Sequence, residues 1–219
     1  MEGLTVLDAW QELLPPSIRV SAGAASGDAA SLTVDELASA GDVNSDRMRE
    51  LEFGRMYAKR ALSMLGFDKV DLPIALDRAP LWPSGVVGSL THVRGCQGEH
   101  FAAAVARASD FSAIGIDAEF EGDLDPHVWT QVLTTRELGQ IRALPVNGRA
   151  TEALTRWCIK EAIAKAERQP TEPIEIEIVG NGDGFWNAKN LSKPKSRDHW
   201  QARTTKSHGL ILAAVIVPR

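Results

Sequence analysis

The 219-residue sequence lacks the features that mark several special classes of protein. It has only two cysteines, Cys96 and Cys158, and neither lies in a CxxC or Cys/His ligand spacing, so we expect reduced thiols and no zinc site. Its longest apolar run, residues 210–217, is too short to cross a bilayer and is typical of a buried strand. The first residues are acidic and lack the basic segment of a signal peptide. We therefore expect a cytoplasmic protein without stable membrane insertion.

The sequence also has no surplus of basic residues. Its net charge is −5 and its pI is about 5.6, so bulk attraction to nucleic acid is not expected. Any polyanionic ligand must therefore meet a local group of Lys and Arg side chains. The apolar fraction of 44% is that of an ordinary globular protein.

Hydrophobic periodicity predicts a mixture of helices and strands. Helical spacing covers residues 44–65, with Asn44 or Ser45 as the N-cap, and residues 134–142 and 147–168. Strands are expected at residues 18–22, 101–106, 112–119, 174–178, 200–204 and 210–217, with 101–106 and 112–119 forming a hairpin. The pattern indicates an α+β fold of two pseudo-symmetric halves, residues 1–110 and 111–219, with a ligand site in the cleft between them.

An acidic pair ends one of the predicted strands, in the sequence GIDAE at residues 115–119. Side chains two apart on a strand share a face, so Asp117 and Glu119 point to the same side. Two such carboxylates suit Mg²⁺, which leaves positions for substrate phosphates. A solvated strand end that carries two acids by chance gives the same pattern.

Three further segments carry polar residues, and each segment fits either a functional or a purely structural interpretation. In WCIKEAIAKA, residues 157–166, Glu161 and Lys165 share a helix face with Trp157 and Arg168, which fits either a site or an exposed ion pair. GSLTH, residues 88–92, fits either a phosphate contact or an ordinary turn. The basic residues of the 44–65 helix fit either an anion site or a solvated face.

These segments in this order resemble the Sfp-type 4'-phosphopantetheinyl transferases, and within them the branch of the enterobactin synthase component D. The family pattern is matched over residues 40–170 by Arg47, Gly54-Arg55 and Lys59 to Leu62, by Pro80 to Pro83 with GSLTH, by GIDAE, and by Trp157 with Lys160-Glu161 and Lys165. Tyr57 and Ala164 depart from the pattern of this branch, at positions without charge.

The resemblance implies a chemistry and a set of site residues. The enzyme would transfer phosphopantetheine from coenzyme A to a serine of an acyl or peptidyl carrier protein and release 3',5'-ADP. Mg²⁺, with Mn²⁺ as the alternative, would be held by Asp117, Glu119 and Glu161. Glu161 or a metal-bound water would accept the serine proton, with Lys165 as the second catalytic residue. The residues expected to bind coenzyme A are Arg47, Arg55, Arg78, Ser89, Thr91, His92, Asp117, Lys160 and Lys165.

The resemblance also bears on partners. It implies a monomer that binds no nucleic acid, and carriers of siderophore, nonribosomal-peptide, polyketide or fatty-acid synthesis all stay open. We expect a carrier-docking patch between GIDAE and WCIKEAIAKA, where Val128, Trp129, Val132 and Leu133 fit core packing equally well. An inactive coenzyme A-binding module of the same fold is the alternative function.

Overall fold

The computed structural model describes residues 5–95, 98–122, 124–169, 171–192 and 199–219. Cys96 lies outside these residues, and Cys158 is a buried free thiol. The first half contains helices and strands in the order α1 (Val6–Leu13), β1 (Arg19–Ala24), α2 (Val34–Ala40), α3 (Ser45–Ser63), β2 (Val86–Gly95) and β3 (Gly98–Arg107).

The second half is built around one long helix and a larger sheet. Its elements are β4 (Phe111–Phe120), α4 (Pro126–Val132), α5 (Thr135–Ala143), α6 (Val146–Glu167), a 3-10 turn (Pro173–Glu175), β5 (Ile176–Gly182), β6 (Phe185–Asn190), β7 (His199–Ser207) and β8 (Leu210–Pro218). No helix among the described residues has the length and apolar composition needed to cross a membrane.

The strands form two antiparallel sheets, in the orders β1-β3-β2 and β4-β8-β7-β6-β5. The α+β prediction is thus confirmed, but the predicted hairpin of β3 with β4 is wrong. Both edges of β3 are occupied, by β1 and β2, so β4 has no edge of β3 to pair with and takes β8 instead. The division of the chain at residue 110 stays a prediction and falls in the turn between the two sheets.

Each long helix packs on the sheet of its own half. The N-cap of α3 is Asn44, as expected, and its side chain accepts the backbone N–H of Arg47. Helix α6 approaches β4 so closely that a Cβ at Gly115 would collide with the carbonyl oxygen of Ala162. Only glycine permits this approach, which brings the GIDAE strand against the WCIKEAIAKA helix.

The two halves meet along a seam between β2 and β4. Ser89 on β2 accepts the backbone N–H of Ile116 on β4 at 3.0 Å, and Thr91 donates to Asp117 at 2.9 Å. One apolar cluster, which includes Trp10 of α1, draws residues from both sheets. The seam therefore holds the GSLTH and GIDAE strands side by side.

Candidate active site

A cavity of about 480 Å³ opens between the two halves. Its walls come from α3, from the segment 77–82, from β2 and from the C-terminal end of α6. Six of the residues expected to bind coenzyme A line it: Arg47, Arg55, Arg78, Ser89, His92 and Lys165. The sequence-predicted basic residues from distant segments thus share one cavity.

Acidic neighbours lie beside two of these cationic or imidazole side chains. Arg47 forms an ion pair with Glu50 at 2.8 Å. The Nε2 atom of His92 lies 3.2 Å from Glu99 and 3.7 Å from Glu50, and its ring stacks on Phe101 at 5.0 Å between centroids. The ion pair orients Arg47, whereas His92 is placed by its stacking on Phe101, and its Nε2 atom lies near both carboxylates without a hydrogen bond to either.

Glu50, His92 and Glu99 also satisfy a simple distance criterion for a metal site. Their donor atoms all lie within 4.8 Å of one another. However, Arg49 and Arg94 contact the Glu99 carboxylate at 3.4 and 3.3 Å, so cations already surround it. We interpret the group as a network of Glu and Arg side chains beside His92.

Arg55 is a buried side chain of the cavity wall. Only 5% of it is exposed, and its Nε donates to the Leu72 carbonyl at 2.6 Å. Burial lowers its pKa from the ordinary range, and the charge of Glu36 opposes that effect. Arg55 therefore ties α3 to the segment after it while lining the cavity.

An ion pair across the cavity was not anticipated from the sequence. Arg168, at the C-cap of α6, pairs with Asp77 through two contacts, Nε to Oδ2 at 2.7 Å and Nη2 to Oδ1 at 3.0 Å. Both residues line the cavity, as does the neighbouring Arg78, whose φ is +66°. The only sequence signal for Arg168 is the helix face that it shares with Glu161 and Lys165.

The acidic centre lies beside this cavity at the seam. Lys165 Nζ lies 2.6 Å from Asp117 Oδ1 and 3.1 Å from the Thr91 hydroxyl. Asp117 is 5% exposed, and its second oxygen, Oδ2, is buried without a hydrogen-bond partner in the structure. An unpartnered carboxylate oxygen is costly in a protein interior, so this atom marks a position suited to a ligand cation.

The two glutamates of the centre carry the same electrostatic strain. Burial, assisted by the Asp117 charge, raises the pKa of Glu119 to about 7, although Trp157 donates to its Oε1 at 3.1 Å. Burial and the Asp117 charge also raise the pKa of Glu161. The three carboxylates do not meet the mutual separation of 4.8 Å that the Glu50 group meets, and their like charges repel one another. A divalent cation would relieve this repulsion, so the donor set fits Mg²⁺.

The structure corrects the expectation for Lys160. Its ammonium is 1% exposed and lies away from the cavity, 2.7 Å from Glu137. It also donates to the carbonyls of Val132 and Pro173 at 2.7 and 2.9 Å. With all three donors in use, Lys160 stabilises the packing of α4 and α5 on α6 and does not contact phosphate.

Thr91 also lies elsewhere than expected. It is 2% exposed, does not line the cavity, and shares its hydroxyl between Asp117 and Lys165. The structure thus places the Thr91 hydroxyl at the seam, and its contact with the 3'-phosphate stays a prediction. Its strand neighbour Ser89 lines the cavity, but its hydroxyl also faces the seam, where it accepts the Ile116 N–H.

The apolar residues expected to dock a carrier serve mostly as core. Leu133 and Val132 are 0% and 4% exposed and belong to one cluster with Ile141 and Ala153. Burial thus favours core packing for Val132 and Leu133, whereas Val128 and Trp129 are partly buried and their role in docking stays a prediction. Arg136 is exposed and pairs with Glu177 at 3.1 Å.

Comparisons with known proteins cover most of the chain. A family model described as "4'-phosphopantetheinyl transferase N-terminal domain" matches residues 38–106, and one described as "4'-phosphopantetheinyl transferase superfamily" matches residues 113–215. The 4'-phosphopantetheinyl transferase Svp of Streptomyces mobaraensis is 40% identical over 187 residues, which cover 78% of this chain and 72% of Svp. Npt of Nocardia iowensis, with the same description, is 32% identical over 187 residues, covering 77% and 82%.

A solved structure is also similar. It is a holo-(acyl-carrier-protein) synthase from Bacillus anthracis in complex with CoA (3',5'-ADP), with a TM-score of 0.41 and 18% identity. The match covers 50% of this chain and 97% of that one.

Proposed function

The chain belongs to the 4'-phosphopantetheinyl transferase superfamily and is a phosphopantetheinyl transferase, and we propose that it moves phosphopantetheine from coenzyme A to a carrier-protein serine with Mg²⁺. The observation that carries the proposal is the position of the cavity. Cationic side chains from both halves line it, and the carboxylates of the seam lie beside it, where Asp117 contacts the cavity residue Lys165.

The cationic wall suits the nucleotide end of coenzyme A. Arg47, Arg55, Arg78 and Lys165 converge in a protein whose net charge is −5, so the local charge differs in sign from the whole. A volume of about 480 Å³ lies in the range of small-ligand cavities. His92, which lies beside Glu50 and Glu99, offers a further contact for the 3'-phosphate.

The carboxylates would hold the metal ion. Asp117 and Glu119 come from β4 and Glu161 from α6, so the set joins two elements that Gly115 brings together. When bound, Mg²⁺ supplies charge neutralisation and orientation for the pyrophosphate. Lys165 lies 2.6 Å from Asp117 and lines the cavity, where its ammonium can move to a phosphate oxygen.

The proposed transfer is a displacement at the β-phosphorus of coenzyme A. The serine oxygen forms a bond to that phosphorus, the bond to the oxygen bridging the α- and β-phosphates breaks, and 3',5'-ADP leaves with that oxygen. Glu161 is the proposed acceptor of the serine proton. The protein's main contribution is to position groups and to neutralise charge.

The test is to measure product release and carrier modification together. Purified protein is mixed with coenzyme A, Mg²⁺ and an apo carrier, and 3',5'-ADP is quantified by chromatography. We expect one 3',5'-ADP for each carrier modified, loss of both with EDTA, and recovery on adding Mg²⁺. Asp117→Ala should abolish both, whereas Asp110→Ala, an exposed acid just before the same strand, should keep them. Tight coenzyme A binding, with no 3',5'-ADP released from coenzyme A in the presence of any carrier, would favour the inactive binding module instead.

A further inference from the structure

The Thr91 hydroxyl lies at the seam between the two halves, where it contacts both Asp117 and Lys165. It lies on β2 of the first half, while its partners Asp117 and Lys165 lie on β4 and α6 of the second. The three polar atoms form a closed triangle with sides of 2.9, 3.1 and 2.6 Å. Thr91 and Asp117 are 2% and 5% exposed, so their mutual hydrogen bond is shielded from water, whereas the Lys165 side chain reaches the cavity.

The chemistry of the three groups determines the direction of each hydrogen bond. An ammonium can only donate, so Lys165 donates to the hydroxyl oxygen of Thr91. An ionised carboxylate can only accept, so the single hydroxyl proton of Thr91 points to Asp117 Oδ1. The Thr91 hydroxyl therefore has one orientation, with its proton on Asp117 and its oxygen accepting from Lys165.

This arrangement leaves the second carboxylate oxygen of Asp117, Oδ2, without a contact from Thr91 or Lys165. Thr91 and Lys165 both engage Oδ1, and Oδ2 is left buried with no hydrogen-bond partner in the structure. If Lys165 turns toward a phosphate, the Thr91 hydroxyl remains as the contact that holds Oδ1. A carboxylate held through one oxygen presents the other in a defined direction.

We propose that Thr91 is a positioning residue that orients Asp117 across the seam, so that Asp117 Oδ2 is the oxygen offered to the metal ion. The inference rests on the proposed function, since it assumes that Asp117 is a metal ligand. Groups that orient metal ligands from outside commonly change metal affinity 10- to 100-fold when they are removed. Thr91 thus acts on the metal through Asp117 and not on the 3'-phosphate of coenzyme A.

The experiment measures metal affinity without relying on turnover. The melting temperature is followed against Mg²⁺ concentration at saturating coenzyme A, for the wild type and for Thr91→Val, which keeps the shape but lacks the hydroxyl. We expect Thr91→Val to raise the half-maximal Mg²⁺ concentration about 10-fold or more. Thr91→Ser, which keeps the hydroxyl, should stay within about 3-fold of the wild type. Thr91→Ala serves as the second hydroxyl-free variant if Thr91→Val does not fold.

A matched control separates positioning from general loss of stability. Thr155 is another buried threonine, on α6, whose hydroxyl bonds to the Thr151 carbonyl at 2.8 Å, away from the cavity. Thr155→Val should lower the melting temperature without changing the half-maximal Mg²⁺ concentration. Calorimetry in EDTA should also show that Thr91→Val binds coenzyme A and dephospho-coenzyme A with an unchanged ratio of affinities.

Two results would overturn the inference, and they differ from failure of the proposed function. An unchanged Mg²⁺ midpoint in the hydroxyl-free Thr91 variants would show that Asp117 needs no orientation from Thr91. A selective loss of coenzyme A over dephospho-coenzyme A would assign Thr91 to the 3'-phosphate. A wild-type melting temperature that does not respond to Mg²⁺ would instead reject the metal site itself, and the inference with it.

Discussion

Replacement of Glu119 by Gln should stabilise the metal-free protein at neutral and alkaline pH. Burial and the neighbouring Asp117 charge raise the pKa of Glu119 to about 7 in the folded protein, from an ordinary value of 4.5. Between about pH 4.5 and pH 7, Glu119 is therefore protonated in the folded protein but ionised in the unfolded chain. As pH rises from about 4.5 to about 7, the wild type therefore loses stability, and Gln removes this loss. Gln also retains an oxygen that can accept the Trp157 N–H.

The size of the effect follows from the two pKa values. Their difference corresponds to about 3 kcal/mol at 1.36 kcal/mol per unit. Glu119 is only partly buried, and solvent screening reduces the figure, so we expect about 1–2 kcal/mol. For a chain of 219 residues this corresponds to a rise in melting temperature of about 3–6 °C.

Thermal unfolding of both proteins in EDTA, at pH 5 and at pH 8, measures this effect. The Glu119→Gln variant should melt higher than the wild type at pH 8 and nearly equal to it at pH 5. Adding Mg²⁺ at pH 8 should stabilise the wild type more than the variant, because the variant has lost an anionic ligand. Equal melting temperatures at pH 8, or the same difference at both pH values, would refute the electrostatic reasoning.

Three further predictions concern the cavity and its support. His92→Ala should weaken coenzyme A binding by about 10-fold or more but affect dephospho-coenzyme A less, and equal losses in calorimetry would place His92 away from the 3'-phosphate. If the Asp77–Arg168 ion pair helps to retain coenzyme A, Asp77→Arg and Arg168→Asp should each raise its dissociation rate about 2- to 5-fold. The double exchange should restore the rate, and unchanged rates in both single variants would contradict this role. Lys160→Met should lower the free energy of unfolding by about 3 kcal/mol, because buried Glu137 loses its nearer cation and keeps only Arg156 at 3.9 Å, and an unchanged urea midpoint would contradict this.

Local periodicity predicted three of the elements that carry the site but not β2, where the structure has GSLTH within a strand and not in a turn. The capped helix after Asn44, the strand with Asp117 and Glu119, and the helix with Glu161 all lie where the sequence predicts them. Pairing of strands was not predictable in the same way. The hairpin of β3 with β4 failed because β1, some 80 residues earlier in the chain, takes the edge of β3.

The site residues that the structure places elsewhere differ in how far the sequence could have located them. Residues 160 and 165 lie 140° apart around a helix, so Lys160 and Lys165 point to different faces of α6. Helix geometry alone would therefore have predicted that the two lysines do not contact the same ligand. Thr91 shares the face of Ser89 by strand alternation, but nothing local indicates that this face meets β4 of the other half. Arg168 pairs with Asp77 over 91 positions, a contact that no local pattern encodes.

The most direct test of the transferase assignment is the intact mass of a carrier protein after incubation with this protein, coenzyme A and Mg²⁺. We predict a mass increase of one phosphopantetheine group on at least one apo carrier from a panel, absent when the acceptor serine is replaced by alanine and absent in EDTA. If every carrier in the panel kept its apo mass, while a known transferase modified the same carriers under the same conditions, the account would be contradicted.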